Sequence, residues 1–422
     1  MSLIRKFKKL SPWIQILIIG IFIRLLLMPF FTHVDLLSTY NRAYSYAFEG
    51  ESVLSTTDPL SHFFEVITLR LYDIFLPREW IQTFLGGELS TSTSRFVLFM
   101  LKIPYLLFDI LSLYLLVKIF KLNRKKELEL SIFYFLNPIL IFGVYMFGRY
   151  ETIPIAFILG ALFFWKRDKQ FWAALLFGLA PLTRMSFLLL IPVVTMLIGK
   201  NIKQKIGYFL LMILPFIVFL GLQNFMLTKT MADWLTDGTH VNYLWGTYIQ
   251  TAADVKLPIF FSVYTVISFF AFLDWMVGNR DVHRVLKYIS LVFASLYSIS
   301  FLHPQYYAWG IPFFALAFLT EKKWSQFWIL NVIVVLAFPF LLLRWNNAII
   351  PEIVRPLSLG ISSKNLFAFI GKFYDPYKLV SLSRAILTAV YTLFFIKLIN
   401  MLSWNKLFNE ELSIKQNLPR KG

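Results

Sequence analysis

Residues 130–165, LSIFYFLNPILIFGVYMFGRYETIPIAFILGALFFW, decide how this chain folds. Two apolar runs, 130–147 and 152–165, flank the polar turn Gly148-Arg149-Tyr150-Glu151, and the second run ends at the basic stretch Lys166-Arg167-Asp168-Lys169. Both runs are apolar on every side, unlike an amphipathic surface helix or a half-buried strand. In hydrocarbon a helix satisfies its own backbone, so two membrane helices are expected here, with the Arg149 turn at one membrane face and cations at the other.

The pattern repeats in both directions. At 58% hydrophobic and 15% charged residues, the chain has too many long apolar runs for a soluble domain, and these runs lack the roughly ten-residue alternation of a membrane barrel. An all-α polytopic membrane protein is expected. A first span is read at 13–31, with Arg24 inside it to snorkel or pair within the bundle. A second is read at 96–120. Residues 32–94 between them form a long first outer loop whose segment 62–75, HFFEVITLRLYDIF, has apolar residues at helical spacing and should lie along the membrane surface.

Beyond the opening pair, 171–198 is broken at Pro181-Leu182-Thr183-Arg184. A helical hairpin is expected there, its tip at membrane depth and Arg184 turned into the bundle. Further spans are read at 206–225, 257–277 and 288–302, in the run after the His303–Trp309 junction, in one closing at Arg344, and in one after Lys378. That makes about twelve crossings in a single domain, 1–422, ending in a polar tail at 401–422.

The net charge of +18 does not point to nucleic acid, because more than half of the 41 Lys and Arg lie in short segments between alternate apolar runs. The positive-inside rule places those segments, both termini and the 401–422 tail in the cytoplasm, and the Asp35 loop, the Arg149 turn and the His303 junction on the other face. The N-terminal MSLIRKFKKL is expected to precede a retained first helix, since no small-residue cleavage motif follows. With no Cys and five His, thiolate sites and disulfides are excluded, and neither HExxH, a Walker loop nor GxSxG occurs. No internal repeat suggests a transporter built of inverted halves.

The polar residues gathered on one face suit an anionic, lipid-linked substrate. Asp35 is the candidate base with His33 beside it; Arg149 and Arg184 are cations, and His303 and Gln305 are donors for a phosphate. Plainer readings stand beside these: a solvated loop Asp, an Arg149–Glu151 ion pair closing the turn, and a His303 seated in an aromatic belt.

An early Asp after the first span, then 135–164 (FLNPILIFGVYMFGRYETIPIAFILGALFF), 178–192 (GLAPLTRMSFLLLIP) and 301–313 (FLHPQYYAWGIPF), in this order, resemble the GT-C superfamily of glycosyltransferases that use polyprenyl-phosphate sugars. The resemblance is nearest to the branch that includes the first mannosyltransferase of glycosylphosphatidylinositol synthesis and related prokaryotic enzymes. It implies a GT-C-like bundle in a prokaryotic plasma membrane and an inverting transfer of a hexose to a lipid or glycan acceptor, with no cofactor or metal. Asp35 would be the base, with Asp58 the alternative, and the segment holding His303, Gln305 and Tyr306 would meet the donor phosphate. The family turn is often Gly-Gln-Phe/Tyr-Asp, so Glu151 departs from it. Arg184 stands where a Lys is usual, and His33 where an Asp-x-Asp pair would have its first acid. A transporter of polyprenyl-linked precursors is the alternative, and a non-catalytic scaffold a third.

Overall fold

The computed structural model of the chain describes residues 10–51, 58–226, 242–252, 255–278, 281–319, 324–345, 349–358, 363–402 and 404. The basic N-terminal residues 1–9 lie outside them, as do 227–241 in the proposed outer loop and all of the 401–422 tail except 401, 402 and 404. In chain order the main helices are α1 (Pro12–Leu27), α2 (Val34–Tyr44), α3 (Pro59–Tyr72), α4 (Arg78–Leu85), α5 (Ser92–Leu101), α6 (Ile103–Ile119), α7 (Arg124–Phe135), α8 (Thr152–Trp165), α9 (Gln170–Thr183), α10 (Leu190–Leu197), α11 (Ile202–Met226), α12 (Ile259–Met276), α13 (Val282–Ile299), α14 (Ile311–Leu319), α15 (Trp324–Leu341) and α16 (Pro376–Leu402).

Among the described residues, six stretches are long and apolar enough to cross a membrane: Ser92–Ile119, Arg124–Met146, Ile202–Phe219, Ile259–Met276, Ser325–Trp345 and Pro376–Leu402. The protein is therefore an all-α polytopic integral membrane protein. The expected dozen crossings are not matched by length, because four further apolar helices, Pro12–Leu27, Thr152–Trp165, Gln170–Thr183 and Met185–Leu197, are shorter. At 14 residues, α8 reaches only ~21 Å, against a hydrocarbon core of ~30 Å. Three of the short ones, α8, α9 and the Met185–Leu197 stretch, begin or end at the charged cluster described below.

Residues 32–94 are largely helical, carrying α2, α3, α4 and the start of α5. The expected amphipathic segment is α3: Phe63, Ile67 and Leu71 are exposed, while His62, Glu65, Val66 and Leu69 are buried. The hydroxyls of Tyr40 and Tyr72 donate to the carbonyls of Leu101 and Met100, 2.8 Å each, which fastens α2 and α3 to the end of α5. The described part of the 226–256 loop holds an antiparallel pair, Tyr248–Ala252 with Val255–Pro258, that the sequence pattern does not announce.

Inside the bundle, α1 buries Pro12, Ile16, Gly20 and Arg24 on one face and exposes Ile18, Ile19, Phe22, Leu25 and Leu26 on the other. The four-residue spacing makes that face a stripe against α7. A side chain at Gly20 would overlap the ring of Phe135, so the bare backbone lets Arg24 lie 3.6 Å above that ring. Arg24 Nε donates to Asp109 Oδ2 at 2.7 Å, and Tyr145 Oη donates to the same oxygen at 2.9 Å. Arg24 thus pairs rather than snorkels. Lys102, buried between α5 and α6, donates to the carbonyls of Met28 (3.1 Å), Tyr145 (2.8 Å) and Phe31. An ammonium at this depth is tolerable because all three protons have partners.

Candidate active site

The turn foreseen between the two opening runs is built by a break in helical winding. After α7 the chain makes a short turn, Pro138–Ile141, and a π-turn, Phe142–Met146, before Gly148 at φ 87°. A Cβ at Gly148 would also press on Leu36 Cβ at 3.3 Å, so the position needs glycine for conformation and for space. Arg149 N donates to Gly143 O at 3.1 Å. The turn then sends its two charged side chains different ways, Arg149 toward α2 and Glu151 toward the end of α9.

On the α2 side, His33 N donates to Phe147 O at 3.1 Å, and the His33 ring stacks on Phe147 at 4.0 Å. His33 caps α2, its Nδ1 accepting from Asp35 N at 3.2 Å and lying 3.4 Å from Asp35 Oδ1. One nitrogen cannot accept from the amide and donate to the carboxylate at once, so its proton decides which it serves. Asp35 sits in the first turn of α2, where a helix N-terminus favours an anion. Its Oδ2 is 3.8 Å from Arg149 Nη1, and 37% of its side chain is exposed. Burial alone would raise its pKa, but the His33 ring, Arg149 and His303 outweigh that and hold the carboxyl well below the usual range.

On the α9 side, Pro181 lies in the last turn of the helix and Arg184 follows it in extended backbone, leading into the 3₁₀ turn Met185–Leu189. This is the expected hairpin break, and Arg184 does face inward, 7% exposed. Its Nη2 donates to Glu151 Oε1 at 2.8 Å and its Nη1 to Asp58 Oδ2 at 3.1 Å. Tyr150 Oη donates to the same Asp58 oxygen while accepting from Arg184 Nη1 (3.2 Å) and Arg149 Nη2 (3.3 Å). Trp309 Nε1 donates to Glu151 Oε2 at 2.5 Å, and the Tyr306 ring faces the Arg184 guanidinium at 4.8 Å. Asp58 reaches this point because Ser61 Oγ, one turn into α3, donates to Thr183 O at 3.0 Å.

His303 contacts Gln305 Oε1 through Nδ1, and its ring stands 5.4 Å from Phe147 and 4.7 Å from Trp345. Burial pushes its pKa down to about 4, despite Gln305 and Asp35, so the ring is neutral at pH 7. The residues singled out in the sequence thus meet: Asp35, His33, Arg149, His303 and Gln305 on one side, and Glu151, Arg184, Asp58 and Tyr306 on the other. The plain Arg149–Glu151 turn pair is not what forms, since Glu151 is taken by Arg184 and Arg149 turns to Asp35.

Sequence reasoning missed the roles of Tyr150 and Trp309, which share the carboxylates, and of Tyr105, whose Oη donates to buried Glu65 at 3.0 Å. Burial pushes the Glu65 pKa up to about 7, against the pull of Tyr105, Arg149 and Arg42. Two cations, Arg149 and Arg184, face three carboxylates, Asp35, Asp58 and Glu151. Arg184 is more than matched. Arg149 is less committed to acid, its one carboxylate contact being 3.8 Å long; its Nε, like Arg184 Nε and His33 Nε2, has no hydrogen-bond partner among the described residues.

Fold and cluster together define a membrane-embedded helical bundle with an accessible carboxylate beside a largely covered guanidinium at one end. No protein-family model, characterised protein or solved structure matches this chain.

Proposed function

We propose that the protein is an integral-membrane glycosyltransferase of the GT-C kind, taking a hexose, with mannose the leading choice, from a polyprenyl-phosphate donor and passing it to a hydroxyl of a lipid or glycan acceptor. The observation that carries this reading is Asp35: of the three carboxylates in the cluster it alone is substantially open, while Asp58 and Glu151 are buried and paired. In the proposed step the acceptor oxygen attacks sugar C1, its proton passes to an Asp35 oxygen, and the bond from C1 to the phosphate oxygen breaks with inversion. A phosphate leaving group needs no general acid. Arg149 and His33, whose Nε and Nε2 are uncommitted, would hold the departing phosphate and oppose its growing charge. Arg184 would act chiefly by fixing Asp58 and Glu151. A carboxyl held so far down its pKa scale is ionised throughout the working range but is a weak base, so much of the driving force must come from the leaving group.

The same reading takes the four short apolar helices, together with α13 and α14, as further passes, about twelve in all, with the termini in the cytoplasm of a prokaryotic cell and the cluster on the outer face. The transporter alternative draws no support from the charges at membrane depth, because Arg24 and Asp109 are fully buried and paired with each other. Incubating the purified full-length protein with a panel of radiolabelled polyprenyl-phosphate sugars and a membrane-lipid extract as acceptor tests the proposal. Transfer of label from one donor is expected; release or transfer from none of them, in protein that melts cooperatively, would sink it.

A further inference from the structure

At the opposite end of the bundle, the C-terminal ends of α6, α8 and α14 and the N-terminal ends of α7 and α13 line an open cavity of about 840 Å³, with Lys118, Lys121 and Lys166 exposed at it. Its walls carry Lys118, Lys121, Lys126, Lys166, Arg167 and His283, and no Asp or Glu is among its described lining residues. Some of this charge has ordinary work. Lys126 Nζ donates to Leu319 O at 2.8 Å, closing the end of α14, and Arg167 lies on the Phe163 ring at 3.4 Å while donating to Phe163 O at 3.1 Å. Lys118, Lys121 and Lys166 differ, having no ion-pair partner among the described residues. Among the described residues, Lys118 lies 5.9 Å from the ring of Tyr114 and Lys166 5.9 Å from the ring of Phe120.

The positive-inside rule explains why cations lie at this end, and helix C-termini attract them. Neither explains why three unmatched lysines from two separate connections converge on one cavity, where they repel one another. On α6, moreover, Leu107, Leu111 and Tyr114 are exposed. Their spacing carries them down one face of the helix to Lys118. An apolar stripe that faces lipid therefore ends at the rim of a cationic cavity.

We propose that this cavity holds the phosphate of an anionic phospholipid headgroup, set between Lys118, Lys121 and Lys166, with the acyl chains along the Leu107–Leu111–Tyr114 stripe. Basic pockets between membrane helices are suited to such headgroups, and each lysine near the surface adds to their attraction. The site is independent of the Asp35 cluster and of the reaction proposed there.

The test uses the detergent-solubilised full chain, titrated with phosphatidylglycerol, phosphatidylcholine or glycerol phosphate and read by native mass spectrometry and melting temperature. Phosphatidylglycerol is expected to be retained and to raise the melting temperature, and the other two are not. The Lys118→Gln/Lys121→Gln/Lys166→Gln variant should lose roughly tenfold to a hundredfold in phosphatidylglycerol affinity, whereas Lys200→Gln/Lys203→Gln, outside the cavity, should lose less than about threefold. Equal affinity in the triple variant overturns the proposal. So does displacement of the lipid by an equal concentration of glycerol phosphate, which would make this a site for soluble phosphate. If the triple variant does not fold, Lys118→Gln and Lys166→Gln alone decide it, and unchanged affinity in both counts against the site.

Discussion

Among the described residues two arginines are buried, and they are held in different ways. Arg24 lies within the bundle, fully enclosed, against one carboxylate, Asp109, which is equally enclosed. Arg184 lies at the end of the bundle against two, Asp58 and Glu151, in a cluster that also contains a third carboxylate with more than a third of its side chain open. The first arrangement is one to one and sealed. The second has excess acid and, in Asp35, an accessible oxygen; an unpartnered nitrogen does not separate the two, since Arg24 Nη2 and Arg149 Nε both lack a hydrogen-bond partner among the described residues. Burial of charge alone does not distinguish a working site from a structural pair; charge balance and access do.

The largest effect that would sharpen this contrast is expected at Asp35. Asp35→Asn keeps the shape and most hydrogen bonds but cannot take a proton, and removal of a general base typically costs about 10² to 10⁴ in rate. The depressed pKa of Asp35 implies some stability that Asn would lose, but the group is partly exposed and its contact with Arg149 is long, at 3.8 Å, so solvent screening should hold the loss to about 1 kcal/mol. Sugar transfer and thermal unfolding, measured on the same preparation, check both halves. A variant retaining more than about a tenth of wild-type turnover shifts the base to Asp58.

Arg24 should behave in the opposite way. Arg24→Ala leaves Asp109 buried without its cation, and breaking a buried pair typically costs about 3 to 5 kcal/mol. Replacing both partners, Arg24→Met with Asp109→Leu, should recover most of that loss. Transfer per folded molecule should be unchanged in either variant. If Arg24→Ala instead melts normally and loses activity, the bundle charges belong to the working path and the contrast fails.

Between these extremes stands Arg149. Arg149→Ala removes a charge-assisted contact worth ~1.5 to 3 kcal/mol, so affinity for the donor should fall about tenfold to a hundredfold. Arg149→Lys should be milder, keeping the charge but not the fork. Arg184→Ala should differ in kind, since it strands Glu151 and Asp58 and should lower the melting temperature before any donor effect is read. Equal losses of stability in the two alanine variants would mean that both arginines are structural.

The bundle and the membership of the cluster were legible in the sequence; their pairings were not. The run at 152–165 coincides with α8 because its Tyr-Glu start and Trp-Lys end are sharp polar borders. Arg24 and Asp109 carry a readable signal, a lone cation in one apolar run and the sole acid in the next, each too costly in lipid to stand alone. Nothing local says that they meet, 85 residues apart. Lys102 is hidden for another reason: its partners are backbone carbonyls, which leave no trace in residue type. Tyr150 and Trp309 carry no role in the sequence reading, because the pattern shows their rings and not the direction of the hydroxyl or the indole N–H.

Glu65 offers the finest test of how the open cluster differs from the rest of the core, because it is a buried acid beside that cluster with a hydroxyl, not a cation, as its partner. Its pKa is raised from 4.5 to about 7, so the folded protein keeps a proton that the unfolded chain gives up above pH 4.5. The resulting stability is complete below about pH 4.5, declines as pH rises and is lost beyond pH 7. His62 and His303, both lowered to about 4, work in the other direction and lose stability as pH falls. The absolute pH profile therefore mixes opposing slopes, and the informative quantity is the difference from Glu65→Gln, which can still accept from Tyr105 but does not titrate. Between pH 5 and pH 7 the wild type should lose about 2 kcal/mol relative to that variant. Parallel profiles, measured by thermal unfolding across this range, would mean that Glu65 is ionised in the folded protein and that the negative charge of the Asp35 cluster extends to it.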